Sequence, residues 1–289
     1  MSDASKQVRA AFQGERGAFS EDAARQLLGP AVETMAYRSF DEMFDAVSEG
    51  VADAAVAPIE NSLAGSVIRN YDLLEERELT IIGETNVRIV HNLIAPAGVG
   101  LEDVRYVYSH PVALAQCERF LRNHPHLEAE AAYDTAGSVK MVIENGRRDQ
   151  AAIAGATAAE VYGAQIIAAG IEDNPANFTR FLLLAHPERG AKIPTLNRDG
   201  ERKTTIVFRV ANQPGSLFKA LAVFALRDID LTKIESRPIE GRPWEYSFYL
   251  DLIGDQHEPR IARALTHLGE MIESIRVLGS YPKAVTSDK

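Results

Sequence analysis

Several polar segments of this sequence carry side chains that could bind and transform a small molecule. They occupy residues 13–20, 58–66, 109–117, 134–138 and 177–181, and each adjoins a predicted strand or helix. Ligands of α/β folds bind at the ends of strands, where helix N-termini offer unpaired N–H groups to anions. Each segment alone also fits an ordinary polar turn, since Gly, Ser, Asn and Asp are common in turns. Together they predict a cleft rich in hydroxyl groups and helix N-termini, suited to a small carboxylated molecule.

The residue types argue against a metal, a cofactor or a covalent triad. The seven histidines are scattered, and no zinc-site spacing, Gly-x-Gly-x-x-Gly or Gly-x-x-x-x-Gly-Lys-[Ser/Thr] motif occurs. No Ser-His-acid or Cys-His spacing is present, and Cys117 is typical of a small buried side chain. Arg180 could bind a carboxylate through two nitrogens, although a single Arg more often forms a surface ion pair. We therefore expect no metal and no cofactor.

Before residue 188, short apolar runs alternate with helical patterns, which predicts a mainly parallel α/β body. The predicted strands occupy residues 8–12, 54–57, 80–90, 104–108, 151–154, 165–168 and 178–185. Ser39 begins a predicted helix with a capping box, Pro111 begins one that runs through Phe120, and Gly146 ends another.

Residues 188–203 lose this periodicity and are rich in charge, Gly and Pro, which predicts a linker. From residue 204 to residue 289 the predicted order is βαββαβ, a ferredoxin-like split sandwich. Helices cover only one face of such a sheet, so its other face or its edges must be protected. We therefore expect a homodimer or a homotetramer.

The charge distribution argues against a nucleic-acid partner. The formal net charge is −10 over 289 residues, and residues 1–187 carry 15 Lys and Arg against 27 Asp and Glu. An acidic body without a basic run repels phosphate backbones. No stretch approaches the ~18 apolar residues that cross a bilayer, and the first residues contain no apolar signal segment. With one cysteine and no membrane segment, the sequence predicts a cytoplasmic protein without a membrane partner.

Taken together and in this order, five motifs resemble the prephenate dehydratase family. They are Pro58-Ile-Glu-Asn-Ser62, Gly65-Ser-Val67, Ser109-His-Pro111, Asp134-Thr-Ala-Gly-Ser138 and Asn177-Phe-Thr-Arg-Phe181. The tail segments Gln213-Pro-Gly-Ser-Leu217 and Glu235-Ser-Arg-Pro238 are similar to the two signature motifs of the amino-acid-binding ACT domain. Two positions depart from the family: Val112 replaces a common Gln, and Ser216 replaces the usual Ala.

The resemblance implies the monofunctional form, with a two-lobed catalytic domain like a type II periplasmic binding protein and a ferredoxin-like ACT domain. The catalytic domain would span residues 1–187, the linker 188–203 and the ACT domain 204–289. Within the catalytic domain, lobe one would contain about 1–80 and 175–187, and lobe two about 81–174.

The resemblance also implies the decarboxylating dehydration of prephenate to phenylpyruvate in L-phenylalanine biosynthesis, with L-phenylalanine as the allosteric effector. Thr179 would donate to the departing hydroxyl group, while Arg180 and the helix N-termini near Ser109 and Thr135 would hold the carboxylates. The expected catalytic residues are Glu60, Asn61, Ser62, Thr179 and Arg180. The expected substrate-binding residues are Ser109, His110, Gln116, Thr135, Gly137, Ser138, Asn177 and Phe181. The expected effector-binding residues are Gly215, Ser216, Leu217, Glu235, Ser236, Arg237 and Pro238.

Two other functions fit the same sequence. An arogenate dehydratase would catalyse the same reaction on the transaminated substrate, which differs by an ammonium group in place of the keto group. A non-catalytic amino-acid sensor could also combine a binding-protein-like fold with an ACT domain. The intact segment containing Thr179 and Arg180 argues against a sensor, which has no need of a hydroxyl donor.

Overall fold

The computed structural model describes residues 7–196, 200–239 and 241–284. Its strands are β1 (Arg9–Gln13), β2 (Glu33–Tyr37), β3 (Ala54–Asn61), β4 (Gly65–Ser66), β5 (Thr80–Arg88), β6 (Asn92–Ala95), β7 (Tyr106–Ser109), β8 (Glu128–Ala131), β9 (Gln150–Ala154), β10 (Gln165–Ala168), β11 (Phe178–Ala185), β12 (Arg202–Arg209), β13 (Leu231–Ile239), β14 (Arg242–Ile253) and β15 (Ser274–Pro282). Its helices are α1 (Phe19–Leu28), α2 (Phe40–Ser48), α3 (Ile68–Glu76), α4 (Pro111–Ala115), α5 (Glu118–Asn123), α6 (Thr135–Asn145), α7 (Ala156–Tyr162), α8 (Pro187–Gly190), α9 (Ser216–Ala225) and α10 (Pro259–Gly269). Within these residues, none of the helices combines the length and the apolar character needed to cross a membrane.

The part of the chain before residue 188 forms two lobes, each built on one sheet, which we call lobe one and lobe two. In lobe one the strand order is β2-β1-β3-β11-β5, with β4 beside β3. In lobe two the order is β10-β6-β9-β7-β8. Both sheets are mixed: β11 is antiparallel to β3 and β5, and β6 is antiparallel to β9 and β10. The body therefore differs from the mainly parallel one predicted. An apolar run identifies a strand but says little about the direction in which that strand enters a sheet.

The chain crosses between the lobes twice, once after β5 and once before β11. The predicted division placed residues 81–88 in lobe two, whereas β5 pairs with β11 along its whole length in lobe one. The second crossing returns β11 to the middle of the first sheet. Two crossings place a cleft between the lobes, at the ends of β1, β3 and β7.

Local sequence signals set several helix ends as predicted. The Ser39 hydroxyl accepts a hydrogen bond from the Glu42 backbone N–H at 3.2 Å and begins α2. Gly146 adopts φ 63° and ends α6. The predicted helix 111–120 is instead divided into α4 and α5, because the Asp173 carboxylate accepts the Arg119 backbone N–H at 3.1 Å and starts a new helix.

The C-terminal domain is a four-stranded antiparallel sheet in the order β13-β14-β12-β15. Helices α9 and α10 pack on one face around Phe208, Phe224, Leu250 and Leu268. This is the predicted βαββαβ sandwich.

Lobe one covers the other face of the C-terminal sheet. Val207, Tyr249 and Tyr281 share one buried apolar cluster with lobe one. Gly279 lies so close to β5 that a Cβ atom there would stand 2.1 Å from the Ile81 carbonyl oxygen. The face that was expected to need self-association is therefore protected within the same chain.

Candidate active site

The cleft between the lobes encloses about 600 Å³ and is lined by residues of both. Strand ends and helix N-termini supply most of its wall, as the position of the sequence motifs predicted. The lining residues are Gln13, Gly14, Ala18, Phe19, Ser20, Phe40, Pro58, Asn61, Ala64, Gly65, Ser66, Val67, Ile89, His91, His110, Val112, Ala113, Gln116, Tyr133, Asp134, Thr135, Thr179 and Phe181.

Thr179 and Phe181 face the cleft from β11. Thr179 pairs with Asn61 of β3, and the Asn61 Nδ2 donates a hydrogen bond to the Thr179 Oγ1 at 2.9 Å. The Asn61 Oδ1 accepts the backbone N–H groups of Leu63 and Ala64 at 3.0 and 2.8 Å, which fixes the orientation of the amide. Because the Thr179 oxygen accepts from Asn61, its own proton remains available for a group in the cleft.

A chain of side-chain amides extends from Asn61 into the cleft wall. Asn61 Nδ2 donates to Asn177 Oδ1 at 2.8 Å, and Asn177 Nδ2 donates to Gln116 Oε1 at 2.9 Å. The His91 Nε2 contacts the same Gln116 oxygen at 2.9 Å, so we assign the proton to Nε2. Burial lowers the pKa of His91, which keeps the ring neutral. Asn177 itself is completely buried, so it positions its neighbours and does not line the cleft.

Arg180 lies on the opposite face of β11, because neighbouring residues of a strand alternate between its faces. Its Nε donates to Glu84 at 2.7 Å, its Nη1 to Asp251 at 2.6 Å and its Nη2 to Tyr281 at 3.0 Å. The prediction that Arg180 binds a substrate carboxylate is therefore corrected: Arg180 does not line the cleft, and each of its guanidinium nitrogens is bonded between lobe one and the C-terminal domain.

Glu60 and Ser62 also lie outside the cleft lining. The Glu60 carboxylate pairs with the Lys233 ammonium group of the C-terminal domain at 3.0 Å. The Ser62 hydroxyl donates to the Ala176 carbonyl and accepts the Phe178 backbone N–H, each at 3.0 Å. Glu60 thus contacts another domain, and Ser62 joins the end of β3 to the start of β11.

In lobe two, His110, Gln116 and Thr135 line the cleft as predicted. His110 caps α4, since its Nδ1 accepts the Val112 backbone N–H at 3.2 Å. The expected polar contact of Gln is absent at Val112, whose apolar side chain lines the cleft instead.

The two predicted serines of lobe two are buried and serve the backbone. The Ser109 hydroxyl donates to the Ile153 carbonyl, and the Ser138 hydroxyl donates to the Asp134 carbonyl, each at 2.6 Å. Gly137 donates its N–H to the Asp134 carboxylate. These three residues hold the ends of β7 and α6 in place and are not among the residues that line the cleft.

Asp134 is an acidic residue of the cleft that was not among the predicted site residues. It caps α6 and also accepts the Glu15 backbone N–H of lobe one at 3.1 Å, so it joins the two lobes. Burial raises its pKa. His91 was missed as well: it follows β5 without a recognisable motif, and only the fold brings it to Gln116. Its Nδ1 is buried without a partner among the described residues.

The two tail motifs do not form one site within the chain. Gly215 adopts φ 80° at the start of α9, and Ser216 and Leu217 line a cavity of about 130 Å³. Glu235 accepts the Ser66 hydroxyl of lobe one, and Arg237 pairs with Asp72 at 2.9 Å. Ser236 and Pro238 lie exposed on β13. Glu235 and Arg237 therefore contact lobe one in this chain, on a different part of the domain from the Gly215 turn.

The described residues contain no cluster of His, Cys, Asp or Glu arranged to hold a metal ion. Burial raises the pKa of the Cys117 thiol to about 12, which leaves it unreactive. The side chains that line the cleft supply hydroxyl, amide, imidazole and carboxylate groups, the last from Asp134.

Comparison with known proteins identifies the family of this chain. Residues 10–189 match the model of the family described as prephenate dehydratase, and residues 204–270 match that of the ACT domain. The arogenate dehydratase/prephenate dehydratase 2 of Arabidopsis thaliana, a chloroplastic protein, is 47% identical over 96% of this chain and 74% of its own length.

Two solved structures are similar over almost the whole chain. The prephenate dehydratase of Arthrobacter aurescens in complex with L-Phe is 34% identical with a TM-score of 0.85, covering 96% of this chain and 90% of that one. GqqA, described as a novel type of quorum quenching acylase, is 38% identical with a TM-score of 0.85, covering 95% and 97%. By its family match and these relatives, the chain belongs to the prephenate dehydratase family, carries a C-terminal ACT domain and is a dehydratase of the lyase class.

Proposed function

We propose that this dehydratase converts prephenate into phenylpyruvate, water and carbon dioxide. The bond between the ring and its carboxylate breaks, its electron pair completes the aromatic ring, and hydroxide leaves from the opposite ring carbon and takes up one proton. Aromatisation supplies the driving force, so the protein mainly has to assist the departing oxygen. A placed donor contributes about 10² to 10⁴ in rate through general acid catalysis.

The observation that carries this proposal is the hydroxyl group of Thr179. It lines the cleft, and Asn61 donates to its oxygen at 2.9 Å, so the hydroxyl proton is not used in that bond and can be donated to a group in the cleft. A threonine hydroxyl is a weak acid, so we assign Thr179 the role of hydrogen-bond donor or proton relay to the leaving group. Asn61, Asn177 and Gln116 hold this donor in place.

Helix N-termini would hold the two carboxylates of the substrate. Among the described residues, the cleft lining contains no Lys or Arg. Lining residues instead come from the first turns of α1, α4 and α6, represented by Ser20, Val112 and Thr135. The N-termini of α1 and α6, which contain 10 and 11 residues, each carry roughly half a positive charge and favour a nearby anion. Phe181 and Phe19 give the cleft an apolar wall, which suits a carboxylate that loses its charge in the transition state.

Arogenate is the second candidate substrate, because similar plant proteins are described as arogenate dehydratases. The two substrates differ in one group, and Asp134 offers a carboxylate in the cleft that could pair with an ammonium group. Purified full-length protein should be incubated with each substrate, and phenylpyruvate and phenylalanine should be quantified by chromatography. The ratio of the two kcat/KM values decides the substrate. Turnover of neither would refute the proposal.

We further propose that L-phenylalanine regulates this enzyme through the C-terminal domain, and that the protein is a homo-oligomer. Regulation by L-phenylalanine is supported by the ACT match, by the L-Phe complex of a similar structure and by the open turn at Gly215. A homo-oligomer is supported by the exposed apolar side chains of Phe218, Leu226 and Trp244. Calorimetric binding of L-phenylalanine below about 1 mM, together with inhibition of turnover, is expected. Sedimentation should show a dimer or tetramer, and a monomer would contradict this assembly.

A further inference from the structure

The back of the candidate catalytic strands is held by the C-terminal domain. Thr179 and Asn61 are paired on the cleft face of β11 and β3, and the adjacent residues Arg180 and Glu60 are also paired, on the opposite face. Arg180 contacts Asp251 and Glu60 contacts Lys233, both of the C-terminal domain. Each cleft-facing residue therefore has a direct neighbour in the sequence that is bonded to the second domain.

The contact behind Thr179 is a nearly dry ionic cluster. The side chains of Arg180, Asp251, Glu84 and Lys203 are 13%, 6%, 1% and 9% exposed. Lys203 donates to Glu84 at 2.7 Å, which balances two cations with two carboxylates. Burial would lower the pKa of Arg180, but the charge of Asp251, followed by Tyr281 and Glu84, raises it well above its ordinary value. Separating a buried charge from its partner strongly destabilises a protein, because the charge is then left without compensation. The groups of this cluster should therefore tolerate little displacement.

Uncharged groups complete the cluster and fix its geometry. The Asp251 Oδ1 accepts the Thr205 hydroxyl at 2.6 Å, and the Tyr281 hydroxyl contacts the same Thr205 oxygen at 2.6 Å. The Ala284 backbone N–H donates to Glu84 at 2.9 Å. Because each of its three guanidinium nitrogens is bonded to a different buried partner, Arg180 has one well-defined position.

The contact behind Asn61 reaches the cleft lining itself. Lys233 bonds Glu60 at 3.0 Å and also donates to the Ser66 hydroxyl at 3.1 Å. Ser66 lies on β4, lines the cleft and donates to Glu235 of the same C-terminal strand. Two separate elements of the C-terminal sheet, β13 and β14, thus support the two strands that carry Asn61 and Thr179.

We propose that Asp251 and Lys233 are positioning residues of the dehydratase reaction, acting on Thr179 and Asn61 through Arg180 and Glu60. This inference rests on the proposed role of Thr179. A displacement of about 1 Å caused far from the chemistry can reduce the rate about 10²-fold, because the donor must meet the leaving oxygen at hydrogen-bond distance. The C-terminal sheet is then part of the catalytic framework, and Arg180 acts from behind the strand and not on the substrate.

The test compares full-length Asp251→Asn with Asp255→Asn. Asp255 lies in the same domain and pairs with Arg202 at 3.0 Å. Its side-chain hydrogen bonds among the described residues are to Arg202 and His257, both of the C-terminal domain. Asp251→Asn should lower kcat about 10-fold or more with KM within about twofold, while Asp255→Asn should match the wild type. Arg180→Lys should resemble Asp251→Asn. Hydrogen exchange of the backbone at 59–62 and 178–182 should be faster in Asp251→Asn and in Arg180→Lys, and unchanged in Asp255→Asn.

Tyr281→Phe keeps the proposal testable if Asp251→Asn does not fold. It removes the hydroxyl contacts with Arg180 and Thr205 and leaves the charges balanced, so we expect a smaller fall in kcat of a few-fold. Unchanged kcat in the folded variants, an equal loss in Asp255→Asn, or a raised KM in Arg180→Lys overturns the inference. If the wild type turns over neither substrate, the proposed function fails and the role in that reaction fails with it. Hydrogen exchange separates this failure from one of the coupling itself: faster exchange in Asp251→Asn supports the mechanical link from Asp251 to β3 and β11, and unchanged exchange overturns it.

Discussion

Replacing Thr179 by Val removes a single hydroxyl group from the cleft and keeps the shape of the side chain. The structure indicates that the fold tolerates this change. The Asn61 Nδ2 loses the Thr179 oxygen but keeps Asn177 Oδ1 at 2.8 Å and the Phe178 carbonyl at 3.2 Å. No buried donor is left without a partner, so the loss of stability should stay near the ~1 kcal/mol of one ordinary hydrogen bond.

The effect on turnover should be much larger than the effect on stability. Loss of one preorganised transition-state donor costs about 10² to 10³ in kcat, or roughly 3 to 4 kcal/mol. Thr179 as a whole residue is only 9% exposed, so few water molecules can take the place of its side chain. Since the donor acts on charge that develops as hydroxide leaves, KM should change little.

The assay is steady-state formation of phenylpyruvate from prephenate by the purified protein, or of phenylalanine from arogenate if that is the substrate. Thr179→Ser retains the hydroxyl and should stay within about tenfold of the wild type. Thr157→Val is the matched control, because its hydroxyl bonds Asp22 at 2.9 Å outside the cleft lining. A kcat for Thr179→Val within about threefold of the wild type would remove this hydroxyl from the mechanism.

Three further predictions concern stability and reactivity. Because burial lowers the pKa of His91, the unfolded state binds a proton first, so the free energy of unfolding should fall as pH drops below about 6.5; urea titrations should show this in the wild type and less in His91→Asn. Cys117 should react with a thiol reagent only after unfolding, since burial raises its pKa to about 12; rapid labelling of native protein would contradict its burial. Gly279→Ala should lower the free energy of unfolding by about 1 to 3 kcal/mol, because its Cβ would meet the Ile81 carbonyl oxygen; Gly83→Ala, whose nearest neighbour is 3.6 Å away, is the control in thermal unfolding.

The sequence predicted well what depends on neighbouring residues. The cap at Ser39, the stop at Gly146 and the βαββαβ order of the tail were all confirmed, since each is set within a few residues of chain. The motif order also led to the family and to the cleft positions of Thr179 and Gln116.

Contacts between distant segments could not be predicted in this way. Ser109 was expected at the ligand, but its hydroxyl is satisfied by the Ile153 carbonyl, 44 residues further along the chain. His91 reaches Gln116 only through the crossing between the lobes. The helix predicted from Pro111 to Phe120 was divided by Asp173, a residue with no sequence signal for that role. In each example the deciding partner belongs to another element.

The contacts of Arg180 could not be predicted from its motif, because they depend on which face of β11 meets the cleft. Strand alternation alone says that Thr179 and Phe181 share one face and that Arg180 takes the other. The sequence does not say which face meets the cleft, because the polar face of an exposed strand and the back of a strand covered by a second domain have the same pattern. The prediction that one face of the C-terminal sheet must be protected bears on this choice, because another part of the chain can cover that face. Lobe one covers that face, and a charge carried on the covering strand can stay ionised there only beside partners such as Asp251. An arginine adjacent to a candidate catalytic residue is thus explained more simply by the domain behind the strand than by a ligand in front of it.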